Sequence, residues 1–144
     1  TDLKKAYLLQ GRYVFLFMGG LLNEALESRE RMRKSDKKMD NKIRIALTDV
    51  CETALKQLDG FQWLTHLVNY SDFPGSLKIV CVFNTNEKLA FCMSQGRTSE
   101  LASLIKNKLG EIDVNVKNIS SQITYDTEEN CEKHNNGRWS ERLG

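Results

Sequence analysis

Ser76-Leu77-Lys78-Ile79-Val80-Cys81-Val82-Phe83-Asn84 decides how this chain is read. The run is short, β-branched and almost wholly apolar. Pro74-Gly75 precede it, and the polar cluster Asn84-Thr85-Asn86 closes it. A strand covered on both faces reads in this way, because neither side of it alternates with water. Helical patterns stand on both sides of it, so the class is α+β.

Working outward, Trp63-Leu64-Thr65-His66-Leu67-Val68-Asn69-Tyr70 reads as a second strand. The short turn Ser71-Asp72-Phe73-Pro74-Gly75 requires the two to pair antiparallel. Upstream, Met39, Ile43, Leu47, Val50, Cys51, Ala54, Leu55 and Leu58 recur at three- and four-residue intervals, the apolar stripe of a helix. Ser35 or Asp40 is placed to cap its start, and Gly60 to end it. Downstream, residues 87–93 read as a short helix capped by Asn84 or Thr85, and Ser94-Gln95-Gly96-Arg97 as a break. A second clear helix opens at Thr98, with Leu101, Leu104, Ile105 and Leu109 inward and Gly110 as its stop. Ile112, Val114 and Val116 alternate with Asp113, Asn115 and Lys117, which predicts a half-buried strand. Ile123-Thr124-Tyr125 predicts a last short one. From Asp126 the chain is polar, with Trp139 and Leu143 its only large apolar residues, and no pair of short helices around a tight turn is read there. The expected architecture is a three- or four-stranded, largely antiparallel sheet with two main helices packed on one face.

Length and composition set the frame. The 144 residues suit one domain at 32–144 with an appendage at 1–31, and 40% hydrophobic with 28% charged residues suit a soluble globular chain. One proline and 8% aromatics argue against a long disordered linker or a stacking platform for single strands. In the appendage, Tyr13-Val14-Phe15-Leu16-Phe17-Met18-Gly19-Gly20-Leu21-Leu22 is an apolar run. Ten helical residues span about 15 Å, half a bilayer core, so no membrane span is expected. Met32-Arg33-Lys34 resembles an initiation site, which would place 1–31 upstream of the natural start.

Cys51, Cys81, Cys92 and Cys131 form no C-x-x-C, and His66 and His134 are not spaced to join them. Reduced structural thiols in a cytoplasmic protein are expected. No metal site and no cofactor motif is read. Gly19-Gly20 lacks both G-K-[ST] and G-x-G-x-x-G, and Asp126, Glu128 and Glu129 lack the spacing of a calcium loop. Asp49 and Glu52 lie one helical turn apart, with Lys56 placed to pair with Glu52. Gly96-Arg97-Thr98-Ser99 carries the ingredients of an anion site at a helix start. His66 would serve a hydrolase only with a partner such as Asp72, Cys81 or Glu52, and no catalytic residue is assigned.

Charge is polarised along the chain. Residues 29–44 hold eight basic side chains (Arg29, Arg31, Arg33, Lys34, Lys37, Lys38, Lys42, Arg44) against Glu30, Asp36 and Asp40. Phosphate contact needs such residues on one side of an element, and Arg33, Lys34, Lys37, Lys38, Lys42 and Arg44 are the candidate nucleic-acid-binding set.

Three stretches carry a resemblance: Met32-Arg33-Lys34-Ser35-Asp36-Lys37-Lys38, then Gly60-Phe61-Gln62-Trp63-Leu64-Thr65-His66-Leu67-Val68-Asn69-Tyr70, then Tyr125-Asp126-Thr127-Glu128-Glu129-Asn130-Cys131-Glu132. Over 32–144 the chain resembles small bacterial proteins often labelled as Fis family transcriptional regulators. The resemblance implies a regulatory role. Fis proteins bind DNA through a C-terminal helix-turn-helix, and no residue here matches that motif. The expected function is a non-enzymatic regulatory or adaptor protein touching nucleic acid through its basic segment. A small hydrolase using His66 with acidic residues and a purely protein-binding module are the alternatives. Partner classes left open are nucleic acid, another protein and a second copy of the chain.

Overall fold

The computed structural model describes residues 32–144. The apolar run at 13–22 and the reading of 1–31 as an appendage lie outside the described residues.

Helix α1 (Lys34–Gln57) forms because one side of it can be buried continuously. Ile43, Ala46, Leu47, Val50, Cys51 and Ala54 return every three or four residues and are all buried. Neither expected cap serves: Ser35 and Asp40 lie inside the helix, and Arg33 at the cap position makes no side-chain bond. Asp36 in the first turn complements the helix dipole instead. At the other end the Leu58 N–H donates to Ala54 O, and Gly60 turns the chain at φ +87°. A Cβ there would stand 2.5 Å from Lys88 Cβ, so the position needs glycine.

Strand β1 (Phe61–Leu67) follows, then a single 3-10 turn at Tyr70–Asp72, then β2 (Lys78–Phe83). The two strands pair antiparallel with Leu64 opposite Cys81 and His66 opposite Ile79, as expected from the short turn. In β2, every residue from Ile79 to Phe83 is at most 1% exposed. The apolar run is indeed a strand buried on both faces.

The chain then runs through α2 (Asn86–Ser94), whose cap Thr85 accepts from the Lys88 N–H at 3.1 Å. Next come α3 (Arg97–Glu111), a single turn α4 (Ile119–Gln122) and strand β3 (Ile123–Thr127). Here the largely antiparallel sheet is corrected. The three strands lie in the order β1-β2-β3, and β3 runs parallel to β2, with Cys81 opposite Tyr125 and Phe83 opposite Thr127. Helices α2, α3 and α4 lie between β2 and β3, and a crossover of that length returns the chain to the same end of the sheet. The sheet is mixed.

The strand expected at 112–117 is not formed. Val114 and Val116 are buried and Asp113, Asn115 and Lys117 exposed, as the alternation demands, but the segment pairs with no strand. Asp113 takes φ +63°, which breaks an extended run, and β3 holds the place beside β2.

The polar tail is corrected too. It folds as α5 (Glu128–Asn135) and α6 (Trp139–Leu143), a pair of short helices around a tight turn. Six α-helices are thus present among the described residues. Strand alternation puts Leu64, Cys81 and Tyr125 on one face of the sheet. Helix α1 packs there, and the Tyr125 hydroxyl donates to Thr98 O at the start of α3. On the opposite face Trp63 meets Trp139 of α6 edge to face, with ring centroids 4.9 Å apart. No helix among the described residues is long and apolar enough to cross a membrane.

Candidate functional site

The outward side of α1 carries the basic segment. Lys34, Lys38 and Lys42 are exposed and follow one another at four-residue intervals, about 6 Å apart along the axis. Lys37 lies beside them, partly buried, and Arg33 immediately precedes the helix. None of these five forms an ion pair with another described residue. Ile45, 68% exposed, lies on the same side. The helix presents this side because its opposite side is consumed by the sheet and α3.

Arg44 leaves the set. Its guanidinium is turned inward, with Nη2 donating to Asp40 Oδ2 at 2.9 Å and Nε at 3.3 Å. Asp40 is 7% exposed and lies on the inner side of the helix, three residues before Ile43. Its Oδ1 accepts from the Tyr70 hydroxyl at 2.7 Å and lies 2.8 Å from His66 Nε2. One buried carboxylate thus gathers an arginine, a histidine and a tyrosine from α1, β1 and the 3-10 turn. Sequence reasoning cast Asp40 as a cap and missed this role. The available signal was an acidic residue in phase with the apolar stripe, four residues before an arginine.

His66 therefore has an acidic partner, but neither Asp72, Cys81 nor Glu52. The hollow beside it is lined by Arg44, Leu47, Thr48, Cys51, Leu64 and Thr65 and has a volume of about 10 Å³. That is room for about one water molecule, not for a substrate. Nor do the neighbouring thiols supply a nucleophile. Burial pushes Cys81 up to about 12, and burial raises Cys51 well above its ordinary value. All four cysteines are free and buried.

The acidic run is structural throughout its first half. Asp126 receives Arg142 Nε at 2.6 Å and Nη2 at 3.0 Å. Glu128 accepts from both indoles, Trp63 Nε1 at 2.7 Å and Trp139 Nε1 at 3.2 Å. Glu129 accepts from the backbone N–H of Asn86 at 2.9 Å, so this carboxylate occupies the start of α2. No group of acidic, cysteine and histidine residues among the described residues is arranged to hold a metal ion. At the start of α3, Arg97 Nε is 2.6 Å from Glu100, which takes the cation of the suspected anion site. Asp49 faces Lys108 at 3.9 Å across the α1–α3 contact rather than working with Glu52. His134 is exposed in the last turn of α5.

No family model, no curated protein and no solved structure matches this chain.

Proposed function

We propose that the protein is a non-enzymatic regulatory or adaptor protein that contacts nucleic-acid phosphates through the outward side of α1. One observation carries this reading. Lys34, Lys37, Lys38 and Lys42 share a side of one helix, and no described carboxylate neutralises them. From Lys34 to Lys42 the helix axis advances about 12 Å, over which a duplex carries about seven phosphates. Four lysines carried on one preformed helix match that spacing without any ordering of the backbone. The engagement of Asp126, Glu128 and Glu129 in internal hydrogen bonds supports the same reading, since it ties those carboxylates to partners within the fold. The label of transcriptional regulator that the resemblance implies belongs to this proposal, without the Fis mode of binding.

The test is binding of a labelled DNA duplex at low salt by the parent chain and by a Lys34→Ala, Lys37→Ala, Lys38→Ala, Lys42→Ala variant. A control lacks Lys106 and Lys117, which are exposed and lie outside α1. The parent and control should bind alike, in the range of about 10⁻⁴ to 10⁻⁶ M typical of contact without base readout, and the stripe variant should not. Equal loss in both variants would leave only a diffuse charge effect.

A protein partner is the second reading. Phe91 is 61% and Met93 48% exposed on α2, a helix that buries only Cys92. Such a surface suits an apolar partner rather than phosphate.

A further inference from the structure

The turn between α5 and α6 is built on Asn135-Asn136-Gly137-Arg138, and its geometry dictates that sequence. Asn136 ends α5 at φ 52° and ψ 36°, the left-handed region that asparagine tolerates best among residues with a side chain. Gly137 follows at φ +77°. That backbone conformation strains any residue with a side chain, so glycine is favoured there, and a Cβ on it would also displace the Glu132 carboxylate. Two left-handed residues in succession close the helix: the Asn136 and Gly137 N–H groups both donate to Cys131 O, the latter at 3.0 Å. An asparagine followed by glycine is also the dipeptide most open to attack on its own side chain, because glycine offers no side chain to hinder its backbone nitrogen. Both residues are exposed to water.

We propose that Asn136 is a site of spontaneous deamidation that the fold holds closed and that local opening of the α5–α6 pair releases. In the reaction the Gly137 backbone nitrogen, losing its proton, forms a bond to Asn136 Cγ. The Cγ–Nδ2 bond breaks and ammonia leaves, giving a cyclic imide. Water then opens either of the imide's two C–N bonds, yielding aspartate or isoaspartate. Two features of the closed turn prevent the first step. The attacking N–H is committed to Cys131 O, and a left-handed ψ near 36° fixes the peptide away from the orientation ring closure needs. Closure itself depends on α6. Trp139 is held between Trp63 and Glu128, and Arg142 bridges Asp126 to Asn135 Oδ1, the last at 3.0 Å. The product does not restore the closed state. It adds a carboxylate at the C-terminal end of α5, where the helix dipole disfavours negative charge, with Glu132 nearby. Deamidation therefore converts a reversible opening into a lasting one.

The experiment incubates the chain at one pH and temperature, native and in denaturing urea. Product at Asn136 is scored by peptide mass spectrometry and by an isoaspartate-specific methyltransferase. Product should accumulate readily in urea and at least roughly tenfold more slowly in the native chain, since reaction follows the open population. Arg142→Gln, which removes the tie to Asp126 and Asn135, should speed the native reaction about tenfold or more and leave the rate in urea unchanged. The parent chain at urea concentrations below its unfolding midpoint gives the same test without a substitution, and its native rate should rise there. Equal rates in native buffer and in urea would overturn the gating, as would a native rate that neither Arg142→Gln nor mild urea increases. Absence of product at Asn136 in urea would overturn the site itself.

Discussion

Asp40 ties side chains from three segments of this structure to one carboxylate. A carboxylate 7% exposed is sustained by Arg44, His66 and Tyr70, which all point at it. Removing it strands a guanidinium whose side chain is 12% exposed. Asp40→Ala should cost about 3–5 kcal/mol, the usual price of an unpaired buried charge, and would show as a lower urea midpoint. A cost under about 1 kcal/mol would mean that the cluster is solvated. The thiols give a second residue-scale test. The folded Cys81 thiol keeps its proton up to about 12, while an unfolded one releases it near 9.0, and burial is the cause. Between those values the folded state binds more protons, so the stability is fully present below about pH 9 and is lost as pH rises towards 12. Cys51, Cys92 and Cys131 are raised in the same direction, each chiefly by burial. Urea midpoints should fall from pH 8 to pH 10.5, and Cys81→Ala should fall less steeply over that interval. An identical decline in the variant would contradict the assignment.

At the scale of elements, Thr127 shows how short helices hold without an apolar stripe. Its hydroxyl caps α5 by accepting from the Asn130 N–H at 3.0 Å and donates to Asn86 Oδ1 at 2.7 Å. Asn86 in turn reaches Asn130 and Glu129, tying the start of α2 to that of α5. Thr127→Val keeps the volume and removes both bonds. It should cost about 1–2 kcal/mol, read by urea unfolding, with protection from hydrogen exchange lost first in α5. Unchanged protection there would show that α5 is held by something else. The same element explains what was legible in the sequence. Helix α1 declared itself through the repeat from Ile43 to Ala54, and β2 through its unbroken apolar run. Helices α5 and α6 bury only Cys131 and Trp139 and are fixed by Glu128, Asp126 and Thr127, so periodicity had nothing to register. The alternation of Ile112, Val114 and Val116 reported burial correctly but not pairing, because a covered loop and a strand edge alternate alike. The direction of β3 depends on where α2 and α3 deliver the chain, which no local pattern encodes.

For the molecule as a whole, the lysine side of α1 was half legible. The sequence marks the basic cluster, but only the helix's docking shows that Arg44 turns inward while Lys34, Lys38 and Lys42 face water. A formal net charge of +2 would draw little to this protein, so any attraction must come from that local arrangement. In the late acidic run, Asp126 and Glu128 are engaged in hydrogen bonds within the fold. The central claim is therefore about ions released, not about affinity alone. The decisive measurement is the slope of log affinity for a DNA duplex against log salt concentration, for the parent chain and the variant lacking Lys34, Lys37, Lys38 and Lys42. Each phosphate contact contributes about 0.9 to the slope, so the variant should lose up to about 3.6, and equally on unrelated sequences. An unchanged slope, or no binding by the parent even at low salt, would contradict the account and put the exposed Phe91 and Met93 surface in its place.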